Sequence, residues 1–289
     1  MPITPSYWLM AVTLLFGLGG CGDSAALTTA VGEQTATYRV LDLERGTSIY
    51  RMAIPDLAQN PAYRDQLLVL RYIPAHASTI GAQNSDVFAD ADERTTRGVA
   101  IRELYIGVFE LTRSQWGRLI SGQSSIPAEP WREVGITTGD ADHPATGMAQ
   151  AVGESALHAW GVAHGLLVTL ANDEEWEDAA RAGGGIYPFD PANLSEVGRF
   201  ARVRETLSTA ITTDSGTAPV GRRAANTWGL YDMIGNAAEL TSTIDADEQA
   251  HVRGGSWNDP VAATRSSNVT TLPPFAGHPL VGLRVVVRP

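Results

Sequence analysis

Short stretches of alternating apolar and polar residues predict most of the elements of this chain. Thr37-Tyr-Arg-Val-Leu-Asp-Leu43 alternates as a strand does, and Thr47–Ile54 predicts a second strand. Gln66–Ile73 predicts a third, ended by Pro74, and Val99–Phe109 reads as a strand pair. Between the strands the period changes. Thr112-Arg-Ser-Gln115 has the spacing of a capping box, after which Trp116, Leu119 and Ile120 share one helical face and Gly122 suits the stop. A second helix is expected over Gly153–His164, with Ala156, Leu157, Trp160 and Ala163 at core spacing and Gly165 as terminator. A third follows Asn172, whose side chain can cap while Glu175 reaches back; Trp176, Ala179 and Ala180 form its buried face. The acids Asp173 to Glu175 lie at the positive end of that helix dipole, so they read as helix-start residues rather than as general acids or bases. Residues 86–97 and 121–143 read as loops.

The stretch Asn226–Leu240 fits neither period. Trp228, Leu230, Tyr231 and Met233 are apolar or amphipathic, while Asp232, Asn236 and Glu239 are polar, so an ordered but irregular loop is expected. Such a loop has to satisfy its backbone carbonyls. A hard cation held by carbonyls with Asp232 or Glu239 is one solution; hydrogen bonds alone are the other.

Composition narrows the function. At 289 residues and 44% hydrophobic content the chain can bury a full core, and 29 Gly with 16 Pro suggest many loops. A formal charge of −11 argues against nucleic acid and against a polybasic membrane patch. The single cysteine, Cys21, leaves no intrachain disulfide, no cysteine-based zinc site and no thiolate pair for copper. His158 and His164 are six apart, which does not place them on one helical face.

The apolar run Tyr7–Phe16 is too short to span a bilayer and ends in Leu18-Gly-Gly-Cys21. It resembles a bacterial lipoprotein signal, although residues 1–6 contain no Lys or Arg. An ordinary signal peptide with an incidental cysteine is the alternative. The expected organisation is a signal peptide over 1–20, a flexible tether over 21–35, a strand decoration over 36–65 and the main domain over 66–289. Lipid on Cys21 would hold the protein at the bacterial cell envelope with its globular part in water.

Gly229-Leu-Tyr-Asp-Met-Ile-Gly-Asn236 with Glu239, then Arg253-Gly-Gly-Ser-Trp257, resembles the formylglycine-generating-enzyme, or sulfatase-modifying-factor, family. Leu167–Gly183 resembles the family's Arg-Leu-Pro-Thr-Glu-Ala-Glu-Trp-Glu motif, His143-Pro-Ala its His-Pro-Val strand, and Gly282-Leu-Arg-Val its closing strand. The resemblance covers about Leu68 to Pro289. Departures are Ala238 and Leu240 where the family carries aromatics flanking the glutamate, Thr169 for its Arg, and Ala171 for its Pro.

The resemblance implies an α+β, loop-rich fold, a variant of the C-type lectin-like architecture. It implies two structural calcium sites, one at Asn193, Leu194 and Asp214, the other at Asp232 with the carbonyls of Met233, Gly235 and Ala237. The family's enzymes bind copper(I) through two cysteines just after Gly-Gly-Ser-aromatic. Here Gly254–Asn268 contains no cysteine, and soft copper(I) wants thiolate, so no copper is expected. Nor is there the His-x-x-x-His-x-Glu stretch of the related iron sulfoxide synthases. The expectation is a non-catalytic binding or scaffold protein whose partner is a protein or glycan at the cell surface. Trp257, Asn258, Arg265 and His278 are candidates for its ligand cleft, with a purely structural role as the alternative for all four. The rival reading is an oxygen-dependent oxidoreductase of the formylglycine-generating type with an unrecognised metal site. Ser256 lacks a histidine at a spacing that would make it a hydrolase nucleophile and reads as a turn residue.

Overall fold

The computed structural model describes residues 37–82, 86, 88–91, 93–183 and 216–289. Cys21, expected to carry lipid, and Asn193, Leu194 and Asp214, expected at a calcium site, lie outside the described residues.

The strands in chain order are β1 (Tyr38–Asp42), β2 (Ser48–Arg51), β3 (Leu67–Ile73), β4 (His76–Ile80), β5 (Arg97–Ile101) and β6 (Leu104–Gly107). After them come β7 (Leu167–Leu170), β8 (Ala238–Ile244), β9 (Ala250–Arg253), β10 (Thr270–Leu272), β11 (Val281–Leu283) and β12 (Val285–Arg288). The helices are α1 (Arg113–Leu119), α2 (Pro130–Glu133), α3 (Gln150–Ala163) and α4 (Asp173–Arg181). One six-stranded sheet runs β2-β1-β3-β6-β12-β7, a four-stranded sheet runs β10-β9-β8-β11, and β4 pairs with β5 alone. β11 lies parallel to β8, which joins the closing residues to the loop before β8.

Both capping boxes are present. Thr112 Oγ1 accepts from the Gln115 backbone N–H while the Gln115 side chain accepts from Thr112; Asn172 and Glu175 do the same for α4. Trp116 and Trp176 are fully buried, Trp116 in one core cluster beside Trp131 and Trp160 and Trp176 in another. α3 begins three residues earlier than its sequence pattern predicts, and Ala163 is exposed rather than in the core. Gly161, not Ala163, meets the sheet there: a Cβ on Gly161 would stand 2.6 Å from the Leu166 carbonyl oxygen. The loop over 121–143 contains the unanticipated single turn α2, started by Pro130.

Residues 36–65 are more than a decoration. β1 pairs antiparallel with β3 from Tyr38↔Arg71 to Asp42↔Leu67, and Leu41 and Leu43 belong to the main core. The alternation in Thr37–Leu43 therefore marks a strand of the principal sheet.

Replacing Trp116 with Ala should cost about 3–5 kcal/mol, because it empties the space of a fully buried indole and leaves the Pro127 carbonyl without its indole donor. Urea unfolding of the variant, with an unchanged slope and a lower midpoint, would check this.

Candidate functional site

The loop leading into β8 is organised around buried charge. Arg284, 1% exposed between β11 and β12, donates from Nε to both oxygens of Glu239 at 3.1 and 3.0 Å and from Nη2 to Oε1 at 2.5 Å. Its Nη1 donates to the Gly107 carbonyl at 2.9 Å and its Nη2 to the Tyr231 carbonyl at 2.8 Å. Trp176 Nε1 on α4 donates to Glu239 Oε2 at 2.7 Å. One guanidinium thus joins β6, the loop, β8 and the C-terminal strands.

Two more carboxylates stand nearby. Glu110 is fully buried and accepts from Asn236 Nδ2 at 2.6 Å and from the Ala237 N–H at 2.8 Å. Asp232, 5% exposed, accepts from the Gly221 N–H at 2.6 Å. Burial raises the Glu110 pKa well above the usual carboxylate range, and Asp232 and Glu239 push it the same way. Burial lifts Asp232 to about 6 against the hydrogen bond from Gly221 and the pull of Arg284. For Arg284, burial works downward, but Glu239, Glu110 and Asp232 raise its pKa on balance. Three carboxylates therefore share a single fully buried cation, with half-buried Arg64 adding to the field at Asp232. Asp232 and Asn236 also adopt left-handed backbone (φ 54° and 64°), which the surrounding bonds must hold in place.

Side-chain hydrogen bonds hold the rest of the loop. Asn226 Oδ1 accepts from the Trp228 and Leu230 N–H groups at 3.0 and 3.1 Å, its Nδ2 donates to the Ala179 carbonyl, and Thr227 Oγ1 donates to the Ala182 carbonyl. The Gly235 N–H reaches the Gly254 carbonyl at 2.9 Å, and a Cβ on Gly254 would come within 3.0 Å of the Trp176 ring, so glycine is required.

The anticipated calcium ligands Asp232, Met233, Gly235 and Ala237 fall in this buried segment. The donor set of one carboxylate and main-chain oxygens is hard, and the surroundings carry more negative than positive charge. Both suit a divalent hard cation.

Of the four residues anticipated at the ligand cleft, one is buried. Arg265 is 3% exposed, and its Nη2 donates to Glu93 Oε1 at 2.7 Å while its Nη1 pairs with Glu93 and lies 3.4 Å from Asp86. An arginine so committed ties the loop after β4 to the segment after β9, so its assignment to a surface cleft is corrected. Trp257 is half-buried and donates its N–H to the Asn236 carbonyl, and Asn258 is exposed. His278 is half-buried in a local turn and accepts from the Leu280 N–H at 3.3 Å. Ser256 is fully buried, and its N–H and Oγ–H both donate to Asp259 Oδ2, at 2.8 and 2.6 Å. It closes a turn and presents no nucleophile.

A cavity of about 290 Å³ lies elsewhere, among Arg113, Trp131, Arg132 and Asp140. Sequence reasoning missed it because Arg113 reads as an ordinary first-turn residue. The available signal was Trp131, an aromatic between Pro130 and Arg132 in a long loop. Arg113 stacks on Trp131, 5.1 Å from the ring centroid, and donates to the Thr138 and Gly139 carbonyls. Beside the cavity Asp140, Asp142 and His143 bring three ligand-type atoms within 4.8 Å of one another.

The family model for the sulfatase-modifying factor enzyme 1-like domain matches residues 72–289. The chain belongs to that family. Over 116 residues it is 36% identical to the inactive Cα-formylglycine-generating enzyme 2 of Bos taurus, a match that covers 35% of this chain and 37% of that protein. The match thus spans little more than a third of that relative's length. Among solved structures, PvdO from Pseudomonas aeruginosa superposes with a TM-score of 0.64 at 20% identity, covering 77% of this chain and 95% of that one. Variable protein 1 of Treponema denticola gives 0.62 at 16% identity, covering 77% and 96%. The fold is the α+β formylglycine-generating-enzyme fold, a loop-rich variant of the C-type lectin-like architecture.

The raised Asp232 pKa fixes a sign. Its folded value of about 6 exceeds the ordinary 3.8, so the folded state binds more protons between those values and stability falls as pH rises through that window. In metal-free buffer, Asp232→Asn should flatten the decline between about pH 4 and 6. Denaturant midpoints of both proteins across that range would show it.

Proposed function

We propose that this family member is a non-catalytic binding or scaffold module, held at the bacterial cell envelope by lipid on Cys21, that engages a protein or glycan there. The observation that carries this reading is the turn after Gly254-Gly255. Where the resemblance places copper thiolates shortly after the Gly-Gly-Ser-aromatic motif, this chain has Asn258 and Asp259, and the Asp259 carboxylate is spent on Ser256. A hydrogen-bonded turn is a structural use of that segment. The inactive relative from Bos taurus supports the same direction, though over a limited length.

Calcium has a structural role in this reading. Asp232 with the carbonyls of Met233, Gly235 and Ala237 would hold one ion, and Asn193, Leu194 and Asp214 would hold the other. At the first site the ion supplies the positive charge that Glu110, Asp232 and Glu239 lack. It performs no chemistry. Nucleic acid is not a partner of a chain with net charge −11. Trp257 and Asn258 remain the accessible part of the expected ligand face. His278, half-buried in the turn beside β11, is the third candidate for that face, and buried Arg265 is not part of it.

Two measurements test this proposal. Copper(I) titration of the full chain, followed by oxygen consumption with a cysteine peptide of sulfatase type, should give neither tight stoichiometric binding nor turnover; both together would overturn the non-catalytic reading. Calcium in excess should raise the melting temperature of the wild type, and Asp232→Asn should lose much of that gain. An unchanged melting temperature at millimolar calcium would remove the metal from the account.

A further inference from the structure

Helix α4 carries five acids, and four of them have permanent cations. Asp173 meets Arg253 at 3.1 Å as well as His251, Glu174 pairs with Arg97 of β5, Glu175 pairs with Arg288 of β12, and Glu177 is taken by Arg181 and Arg253. The fifth, Asp178, has His76 instead. Its side chain is 4% exposed, and it lies 3.1 and 3.3 Å from His76 Nε2 through Oδ2 and Oδ1. Only the Oδ1 contact has hydrogen-bond geometry, and Oδ2 finds no donor.

The ring leaves no freedom in its protonation. His76 Nδ1 lies 2.8 Å from the Pro74 carbonyl, which can only accept, so the proton must sit on Nδ1. Nε2 then faces the Asp178 carboxylate. With a second proton it donates into an ion pair; without one, a lone pair opposes a buried negative charge. The other groups around the ring carry no charge: Trp228 meets it edge-on at 5.8 Å, and β5 opposes His76 with Ile101. Among the described residues Asp178 is the one charge acting on this ring.

We propose that His76 and Asp178 form a proton-operated clip that fastens the start of β4 to α4 beside Trp228 and releases that seam as pH rises. The far end of the seam has no such dependence. There the Gly81 N–H donates to Glu177 Oε1 at 2.7 Å and Arg181 Nη2 donates to the Gly81 carbonyl at 2.8 Å, with no histidine in either contact. The seam therefore opens at one end and pivots at the other. Because Trp228 belongs to the loop that leads to Asp232, the clip's state reaches the organising loop.

The direction follows from linkage. Burial works to lower the His76 pKa, but the Pro74 carbonyl and Asp178 raise it above its ordinary 6.5 on balance. A group raised on folding contributes stability that is complete below its ordinary value and is lost as pH climbs through the folded one. Release thus belongs above pH 6.5.

Amide exchange of the full chain in detergent at pH 6 and pH 8.5, corrected for intrinsic exchange, tests the clip. Protection at residues 76–80 and 226–231 should fall about tenfold more than protection in β12. Asp178→Asn should remove that pH dependence. His76→Gln, which keeps a donor toward Asp178 without a titrating ring, should do the same and stands as the second variant if the first folds poorly. Equal protection at both pH values in the wild type, or pH dependence that persists in the variants, overturns the proposal. So would a His76 proton resonance that titrates at or below the value of an unstructured histidine.

Discussion

The contact on which the architecture depends is the Arg284–Glu239 pair. A guanidinium taken out of water is costly unless every donor is used, and here Glu239 and the Gly107 and Tyr231 carbonyls receive them. Those acceptors come from two parts of the chain, Gly107 in one and Tyr231 with Glu239 in the other, both distant from Arg284 in sequence. Meeting them fixes the C-terminal strands against β6, sets the path of the loop before β8, and gives Trp176 a buried acceptor. An aliphatic residue could fill the same volume but could not specify this meeting.

The same arrangement creates an imbalance. Glu110 and Asp232 are drawn into the interior because the left-handed turns at Asp232 and Asn236 need acceptors for the Gly221 and Ala237 N–H groups and for the Asn236 amide. Hydrogen bonds satisfy the donors but do not cancel the charge. The interior must therefore hold protons or a cation. That imbalance couples the state of a structural loop to pH.

Much of the fold was legible in the sequence, and the reasons are local. Thr112 with Gln115 and Asn172 with Glu175 are spacings whose meaning does not depend on tertiary context, and both helices begin where those pairs say. The irregular loop was legible as irregular. The site was less so. Arg265 reads like a surface cation because the partners that bury it, Asp86 and Glu93, are 179 and 172 residues away. Glu110 gave no signal: an acid after Phe109 at the end of a strand looks solvent-facing until the Asn236 and Ala237 donors fold over it. His76 was likewise unremarkable until Asp178 arrived from α4.

A double-mutant cycle on the central pair would test the account most directly. Arg284→Met and Glu239→Gln each leave an uncompensated buried group, so each should destabilise the protein by about 3–5 kcal/mol. The double variant removes both charges, so its loss should fall short of the sum of the single losses by about 2 kcal/mol or more. Strictly additive losses, or single variants as stable as the wild type, would contradict the claim that this buried pair organises the fold.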